Sequence, residues 1–249
     1  MITTLLFSGN YAEQSSLLTN LTTSQAFFLI IIIAVVGMIV QARLRSVFNK
    51  YSNVGLSNGM TGAEIAAKML RDHNITDVKI TRTGGMLTDH YNPATKTVNL
   101  SDAVFQSRSI AAAAVACHEC GHAIQHAEGY APLRLRSSLV PIVNFSSMMA
   151  QWIIILGLIM MSVSGSAVVC WIGVGMIAMS ALFSIITLPV EYNASNRALE
   201  WLESSRTLRD DEMDGARISL RWAARTYLVA ALSAIASLLY YITLINRRN

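Results

Sequence analysis

The run AFFLIIIIAVVGMIV, from Ala26 to Val40, decides the class of fold that this chain can form. No charged residue occurs from Gln14 to Ala42, and the stretch from Leu21 to Gln41 has the length of about 20 residues that crosses roughly 30 Å of hydrocarbon. The run lacks the basic start of a cleaved signal peptide and is followed directly by Arg43 and Arg45. The sequence therefore predicts a membrane anchor that is retained.

The composition of the whole chain agrees with a membrane protein. Only 14% of the 249 residues are charged, against about 25% in a typical soluble domain, and the mean hydropathy is +0.44. The net charge of +4 comes from scattered basic residues beside apolar runs, which membrane topology explains without nucleic acid as a partner. Three cysteines, a small and odd number, do not indicate a disulfide framework. Cys170 is expected to be a small packing residue.

Two further stretches contain no charge. The 54 residues between Arg136 and Glu191 suffice for two spans, with a break at the small polar turn SVSGSA, residues 162–167. Another uncharged stretch runs from Thr226 to Asn246. We therefore predict four transmembrane helices, over residues 21–41, 139–162, 166–189 and 223–246, of which the fourth either spans the membrane or lies at its interface.

The basic residues predict the orientation of these helices. Arg43 to Arg136 contains eleven Lys and Arg residues and Arg197 to Arg225 contains six, whereas the N-terminal tail contains none. The positive-inside rule then predicts cytoplasmic segments over residues 42–138 and 190–222 and an outside tail over residues 1–20. A fourth full span would place Arg247 and Arg248 outside, against that rule, so its course stays open.

Short patterns of regular structure occupy the polar segment before the second span. Thr61 and Glu64 form a capping-box pattern ahead of an amphipathic run, and Gly129 follows an alanine-rich run as a helix stop. These patterns are typical of a mainly helical protein with a small sheet. In chain order they predict a helix from Gly62 to His73, strands Val78–Ile80 and Lys96–Leu100, and a helix from Ser109 to Ala127.

The alanine-rich helix carries ACHECGHAIQ, residues 116–125, in which two chemically distinct spacings overlap. His118 and His122 stand about 6 Å apart along the axis on one face, so both imidazoles can reach one zinc ion. Glu119 flanks that position, where a carboxylate can accept a proton from zinc-bound water. The spacing therefore predicts a zinc hydrolase site with Glu119 as the general base.

Cys117 and Cys120 offer the competing interpretation of the same stretch. A c-type haem site needs a histidine directly after the second cysteine, but Gly121 stands there. A thioredoxin-like redox site needs a βαβ setting, which the surrounding patterns do not predict. We interpret both cysteines as small residues that pack around the metal-binding helix.

A third zinc ligand is needed, because catalytic zinc usually has three protein ligands and one open position. His126 lies about 12 Å along the axis from His118, too far for one metal ion on a straight helix. Glu191 is the first charge after the 54 uncharged residues, at a membrane edge where an unused carboxylate is unfavourable. We predict Glu191 as the third ligand, with a glutamate that only caps the span as the alternative, and Ser195 on the same side one turn later.

Four motifs in this order resemble the YugP-type bacterial membrane zinc metallopeptidases, distant relatives of the HtpX-type peptidases. The motifs are DHYNPATKTVNLSDAVF (residues 89–105), ACHECGHAIQHAEGYAPLRLR (116–136), LPVEYNASNRAL (188–199) and DEMDGARISLRWAARTYLVAALSA (211–234). The resemblance implies a mainly α integral membrane protein of the bacterial cytoplasmic membrane with a small β element in a gluzincin-like cytoplasmic core. It implies one Zn²⁺ per chain on His118, His122 and Glu191, with Glu119 as catalytic base. Where HtpX-type relatives commonly carry an acidic residue, this chain has Ser195.

The resemblance also implies a substrate site. The strand over Lys96–Leu100 would lie along the active-site cleft as an edge strand and pair with an extended peptide. Asp89 and His90 lie either in a turn or beside the site. Substrate contacts are predicted for Thr97, Val98, Asn99 and Leu100; ligand-orienting or oxyanion-stabilising roles are open among Asn193, Ser195, Arg217, Arg221, Arg225 and Tyr227.

The function predicted from these features is hydrolysis of peptides or membrane proteins at the cytoplasmic face of the bilayer. A non-catalytic zinc-binding membrane scaffold or chaperone-like protein is the alternative. A transporter is disfavoured, because the apolar spans contain no charge until Arg225 at an edge.

Overall fold

The computed structural model describes residues 21–85 and 87–247 of the chain. Helices form most of this part, and three short strands within it form one sheet. The predicted tail over residues 1–20 lies outside the described residues. The elements in chain order are α1 Thr23–Ser52, α2 Gly62–Asp72, β1 Lys79–Thr83, β2 His90–Asn92, β3 Thr97–Ser101, α3 Asp102–Phe105, α4 Ile110–Ala127, α5 Ala131–Ser164, α6 Val168–Ser204 and α7 Asp210–Asn246.

Four helices in the described part, α1, α5, α6 and α7, are long and apolar enough to cross a membrane. This confirms the mainly helical fold, and the number of candidate spans equals the number predicted. The predicted polar break is also confirmed, because α5 ends at Ser164, α6 begins at Val168, and Gly165 between them adopts a left-handed φ of 71°. Both α6 and α7 continue as helices well beyond their apolar stretches, and α6 passes through Pro189.

The described residues form two compact units. One comprises residues 21–35, 142–181 and 232–247, and the other residues 36–141 and 182–231. In the first unit, Gly157 lets two helices approach closely, since a Cβ at that position would lie 2.5 Å from the backbone nitrogen of Cys170. Cys170 is fully buried there, as expected for a packing residue.

The second unit contains the sheet, in the order β1-β3-β2. β1 pairs with β3 in parallel, and β2 pairs with β3 in antiparallel register, with Tyr91 opposite Val98. The prediction that the strand around Lys96–Leu100 is an edge strand is therefore wrong. β3 is hydrogen-bonded on both sides, and the two edges are formed by β1 and by β2, of which the sequence patterns did not predict β2.

The helices around the sheet are fixed by local signals and by burial. Both predicted capping-box bonds at the start of α2 are present, with Glu64 N donating to Thr61 Oγ1 at 3.2 Å and Thr61 N donating to Glu64 Oε2 at 2.8 Å. α2 packs against α4, where the thiol of Cys120 donates to the carbonyl of Ala66 at 3.6 Å. α4 is therefore the central helix of the unit, with the residues from Ile110 to Ala114 all buried.

Candidate metal centre

Helices α4 and α6 bring together three side chains that can bind a metal ion. Nε2 of His118 lies 3.2 Å, and Nε2 of His122 3.5 Å, from Oε2 of Glu191. The two imidazole rings stand nearly at right angles, with their centroids 4.8 Å apart. The sequence-predicted pair on α4 and the predicted glutamate 69 residues later thus meet at one point.

This group fits a zinc ion by geometry and by chemistry. Two ligand atoms that each lie about 2.0–2.1 Å from a tetrahedral zinc stand about 3.3 Å apart, close to the two observed separations. Two imidazoles and one carboxylate are also a donor set that catalytic zinc uses, with a fourth position left open. Glu191 is 1% exposed, and a buried carboxylate requires compensation by a cation.

The close approach of α6 to α4 depends on Gly121. A Cβ at this position would lie 2.5 Å from the carbonyl oxygen of Ala194 on α6. The glycine inside the histidine motif therefore sets the distance between the two histidines and Glu191.

Gly121→Ala is expected to weaken zinc binding by tenfold or more, because even one methyl group forces the α6 backbone away from α4. Competition with a chromophoric chelator measures the zinc affinity, and circular dichroism shows whether the helices persist. Gly175→Ala is the matched control, since a Cβ there meets no atom within 4 Å. Equal zinc affinity of Gly121→Ala and the unchanged protein would show that the helix spacing does not control the site.

The outer nitrogens of both histidines have hydrogen-bond partners. Nδ1 of His118 lies 3.1 Å from Oγ of Ser195, and Nδ1 of His122 lies 3.0 Å from Oε1 of Gln125. The amide nitrogen of Gln125 donates to the carbonyl of Val190 at 2.8 Å, so its Oε1 is left to accept from His122. A proton on Nδ1 leaves Nε2 as the lone-pair donor that faces Glu191.

Asn193 extends this network away from the metal position. Its Oδ1 accepts from the Gln125 amide at 2.9 Å and from Nε of Arg197 at 2.8 Å, and Arg197 in turn pairs with Glu128 at 2.6 Å. Asn193 and Ser195 were predicted near the site, whereas Gln125 was missed. Its position three residues after His122 on the same helix face is the signal that points to it.

The predicted general base, Glu119, is held by the edge strand β2. The backbone N–H of Tyr91 in β2 donates to Oε2 of Glu119 at 2.9 Å, and the Glu119 side chain is buried in α4. Burial raises the pKa of Tyr91, and its hydroxyl is hydrogen-bonded to Nδ1 of His126 at 2.7 Å. Tyr91 therefore fixes β2 to α4 at two points, and His126 serves that contact.

A cavity of about 400 Å³ opens beside these groups. The residues Thr97–Leu100, predicted as substrate contacts, do not border it, because Val98 and Leu100 point into the core. β2 takes that place, and Asp89 lies at the cavity while it also accepts from Ser101 N at 2.7 Å. The cavity is lined by His118, Glu119, His122 and Glu191 together with Asp89, His90, Tyr91, Pro93, Leu133, Arg136, Ser137, Val140 and Tyr227.

Among the predicted oxyanion candidates, Tyr227 lines the cavity and the three arginines do not. Arg217 pairs with Glu203 at 3.4 Å, Arg221 is exposed, and the guanidinium of Arg225 lies 4.2 Å from the Trp222 ring centroid. A different cation, which the sequence patterns did not single out, occupies the site. Nη1 of Arg136 in α5 lies 3.3 Å from Oε1 of Glu191.

The two cysteines beside the motif do not compete for the metal. Cys117 and Cys120 are fully buried, and burial raises the pKa of both thiols, which opposes formation of the thiolate that binds metals. The thiol of Cys120 contacts α2, so it points away from Glu191 on α6. The packing role predicted for both residues agrees with this environment.

Comparisons with known proteins give the same combination of features. Residues 26–246 match a family described as "Putative neutral zinc metallopeptidase". The Bacillus subtilis (strain 168) protein "Putative membrane protease YugP" is 41% identical over 219 residues, which cover 86% of this chain and 95% of that protein. No solved structure matches the chain significantly.

Proposed function

Because the chain belongs to the YugP-type family of membrane zinc metallopeptidases, we propose that it is a zinc-dependent endopeptidase embedded in the membrane. The observation that carries the proposal is the meeting of His118, His122 and Glu191 at separations that fit one zinc ion, with Glu119 beside them. Hydrolysis of casein by the purified zinc-loaded protein, and its loss in Glu119→Gln, tests this function.

The reaction that this arrangement supports is attack of water on a peptide bond. Zinc held by the three ligands would polarise the water and the scissile carbonyl. Glu119 accepts the proton of the water and passes it to the leaving amine, which needs a carboxylate held in one orientation. The amide of Tyr91 supplies that constraint, since it holds one oxygen of Glu119 in place.

The ligands are oriented by their own partners. The side-chain oxygen of Gln125 holds the proton of His122 on Nδ1, and the hydroxyl of Ser195 lies 3.1 Å from Nδ1 of His118, so that both Nε2 atoms face the metal position. Arg136 holds Oε1 of Glu191, which leaves Oε2 directed at the two histidines.

Tyr227 is the group that we propose to stabilise the oxyanion. Two phenols line the cavity that also contains Glu119, His118 and Glu191, and the hydroxyl of the other one, Tyr91, lies 2.7 Å from Nδ1 of His126. A hydroxyl donor suits the charge that develops on the carbonyl oxygen. An extended peptide would run beside β2, the strand that borders this cavity, in place of the strand first predicted.

Tyr227→Phe is expected to lower kcat by about 10²–10³-fold with little change in KM, as loss of one oxyanion donor does in other hydrolases. Steady-state hydrolysis of a fluorogenic peptide measures both constants. Tyr192→Phe is the matched control, because this tyrosine lies on α6 next to Glu191 and is 40% exposed. A kcat within a factor of three of the unchanged protein would exclude Tyr227 from this role.

Zinc binding is expected to weaken as the pH falls. Burial opposes the charged form of His122, but the hydrogen bond to Glu191 and the charge of Glu119 outweigh it and raise its pKa above the ordinary value of about 6.5. Protons therefore compete with zinc for Nε2 below that raised pKa, up to about tenfold in affinity per pH unit for each proton displaced. Chelator competition from pH 8 to pH 5.5 measures this, and a flat profile would contradict it.

The orientation of the site is a proposal that rests on charge. The positive-inside rule places residues 42–138 and 190–222, including a gluzincin-like catalytic core, in the cytoplasm of a bacterium. The alternative of a non-catalytic zinc scaffold gives no reason for a buried carboxylate at position 119 that is anchored by a strand beside the metal position.

A further inference from the structure

A second, smaller cavity adjoins the candidate metal centre. Its volume is about 150 Å³, and it shares Asp89, His118, Glu119 and Tyr227 with the larger cavity. A chain that presents a peptide bond to Glu119 and His118 therefore has this cavity within reach of the side chains beside that bond.

Apart from the four residues that it shares with the larger cavity, the smaller cavity is lined almost entirely by apolar side chains. Ser219 is the exception, and its hydroxyl donates to the carbonyl of Gly215 at 2.8 Å within α7, so it has no need of a ligand. An apolar cavity of about 150 Å³ can hold a group of the size of benzene. The apolar walls are formed by Leu44 and Phe48 of α1, Leu87 before β2, Val115 of α4, and Leu220 and Ala223 of α7.

We propose that this cavity is a specificity pocket for a large apolar side chain next to the scissile bond. The proposal rests on the proposed peptidase function and adds its substrate class: peptides with Leu, Phe or Met at that position. A charged or amide side chain would lose its hydration against the apolar walls. The carboxylate of Asp89 at the pocket already accepts from the backbone N–H and the hydroxyl of Ser101, at 2.7 and 3.0 Å. A glycine or alanine would leave the pocket largely empty and forgo the favourable burial.

Position 223 decides how much room the pocket offers. Ala223 is a small residue on the wall formed by α7, one turn before Tyr227, and a larger side chain there would occupy the space. Phe48 of α1 is the largest of the apolar side chains that line the pocket, so its truncation would enlarge the same space. The two changes therefore act on selectivity in opposite directions.

The experiment compares cleavage of a peptide library by the full-length zinc-loaded protein and its variants in detergent micelles. Mass spectrometry identifies the cleavage sites, and kcat/KM is then measured on matched peptides that carry Leu, Phe, Trp or Ala at the preferred position. The unchanged protein is expected to prefer Leu or Phe to Ala by at least about tenfold, the smallest discrimination that apolar pockets usually give.

Ala223→Leu is expected to lower kcat/KM for the Leu and Phe peptides about tenfold or more while the Ala peptide changes less than threefold. Phe48→Ala is expected to raise the relative rate on the Trp peptide, and Ala230→Leu, at an exposed position of the same helix, to leave all ratios unchanged. Equilibrium binding of the Leu and Ala peptides to Glu119→Gln should show the same preference without turnover.

Cleavage without apolar preference at either position next to the bond, or equal ratios in Ala223→Leu and the unchanged protein, would overturn the pocket and leave the peptidase function intact. A lipid chain as the occupant would give this second result. Absence of cleavage of every peptide by zinc-loaded protein would instead overturn the proposed function and the pocket with it.

Discussion

Glu119→Gln is expected to lower the rate of peptide hydrolysis by about 10²–10⁴-fold, the contribution that a positioned general base usually makes. Zinc should stay bound, because Glu119 is not one of the three grouped ligands. The glutamine oxygen can still accept from the N–H of Tyr91, so the fold around the base should persist. Zinc content by atomic absorption and hydrolysis of casein or a fluorogenic peptide measure the two effects on the same sample.

The matched control is Glu200→Gln, which makes the same chemical change at an exposed position of α6. It should keep both zinc and activity. Activity of Glu119→Gln near that of the control would show that another group takes the proton. Loss of zinc in Glu119→Gln would show that the carboxylate is itself a ligand.

Glu191→Ala is expected to lower zinc affinity on the order of 100-fold or more, since removal of a direct ligand exceeds the 10–100-fold effect of removing an outer-shell partner. The change also frees Arg136, whose side chain is 29% exposed and can be hydrated, so the helices should stay folded. Metal analysis after dialysis measures the loss, with Glu200→Ala as the control on the same helix. Full zinc occupancy in Glu191→Ala would exclude this residue as the third ligand.

The histidine pair of the site could be predicted because it depends only on the spacing of residues within one helix. His118 and His122 need only one turn of helix to share a face, and the helix itself is predicted by its alanine run and its glycine stop. Glu191 could be found at a distance of 69 residues because a carboxylate at the edge of an apolar span requires a reason.

The rest of the site depends on packing that no local pattern encodes. Arg136 reaches Glu191 because of the direction in which α5 runs. Tyr91 contributes a backbone N–H, which any residue type except proline would supply. The strand order was mispredicted for the same reason. Whether β3 is central or at the edge is set by which strands pair with it, and the partner β2 has only three residues followed by the turn at Pro93.

Gly121 bears both on the interpretation of the motif and on the packing of the two helices that form the site. Its place inside the motif gave the first argument against a haem site, and the structure gives it a second role, since α6 packs against its bare backbone. The distance between the histidines and Glu191 follows from that contact. The long apolar helix α6 thus contributes Glu191 as a ligand beside His118 and His122 on α4.

X-ray absorption at the zinc edge of the purified protein, loaded with one zinc per chain, tests the central claim most directly. A site of two imidazoles, one carboxylate and one open position predicts nitrogen and oxygen neighbours at about 2.0–2.1 Å and no sulfur. Sulfur neighbours at about 2.3 Å would place the metal on Cys117 and Cys120 and contradict the account.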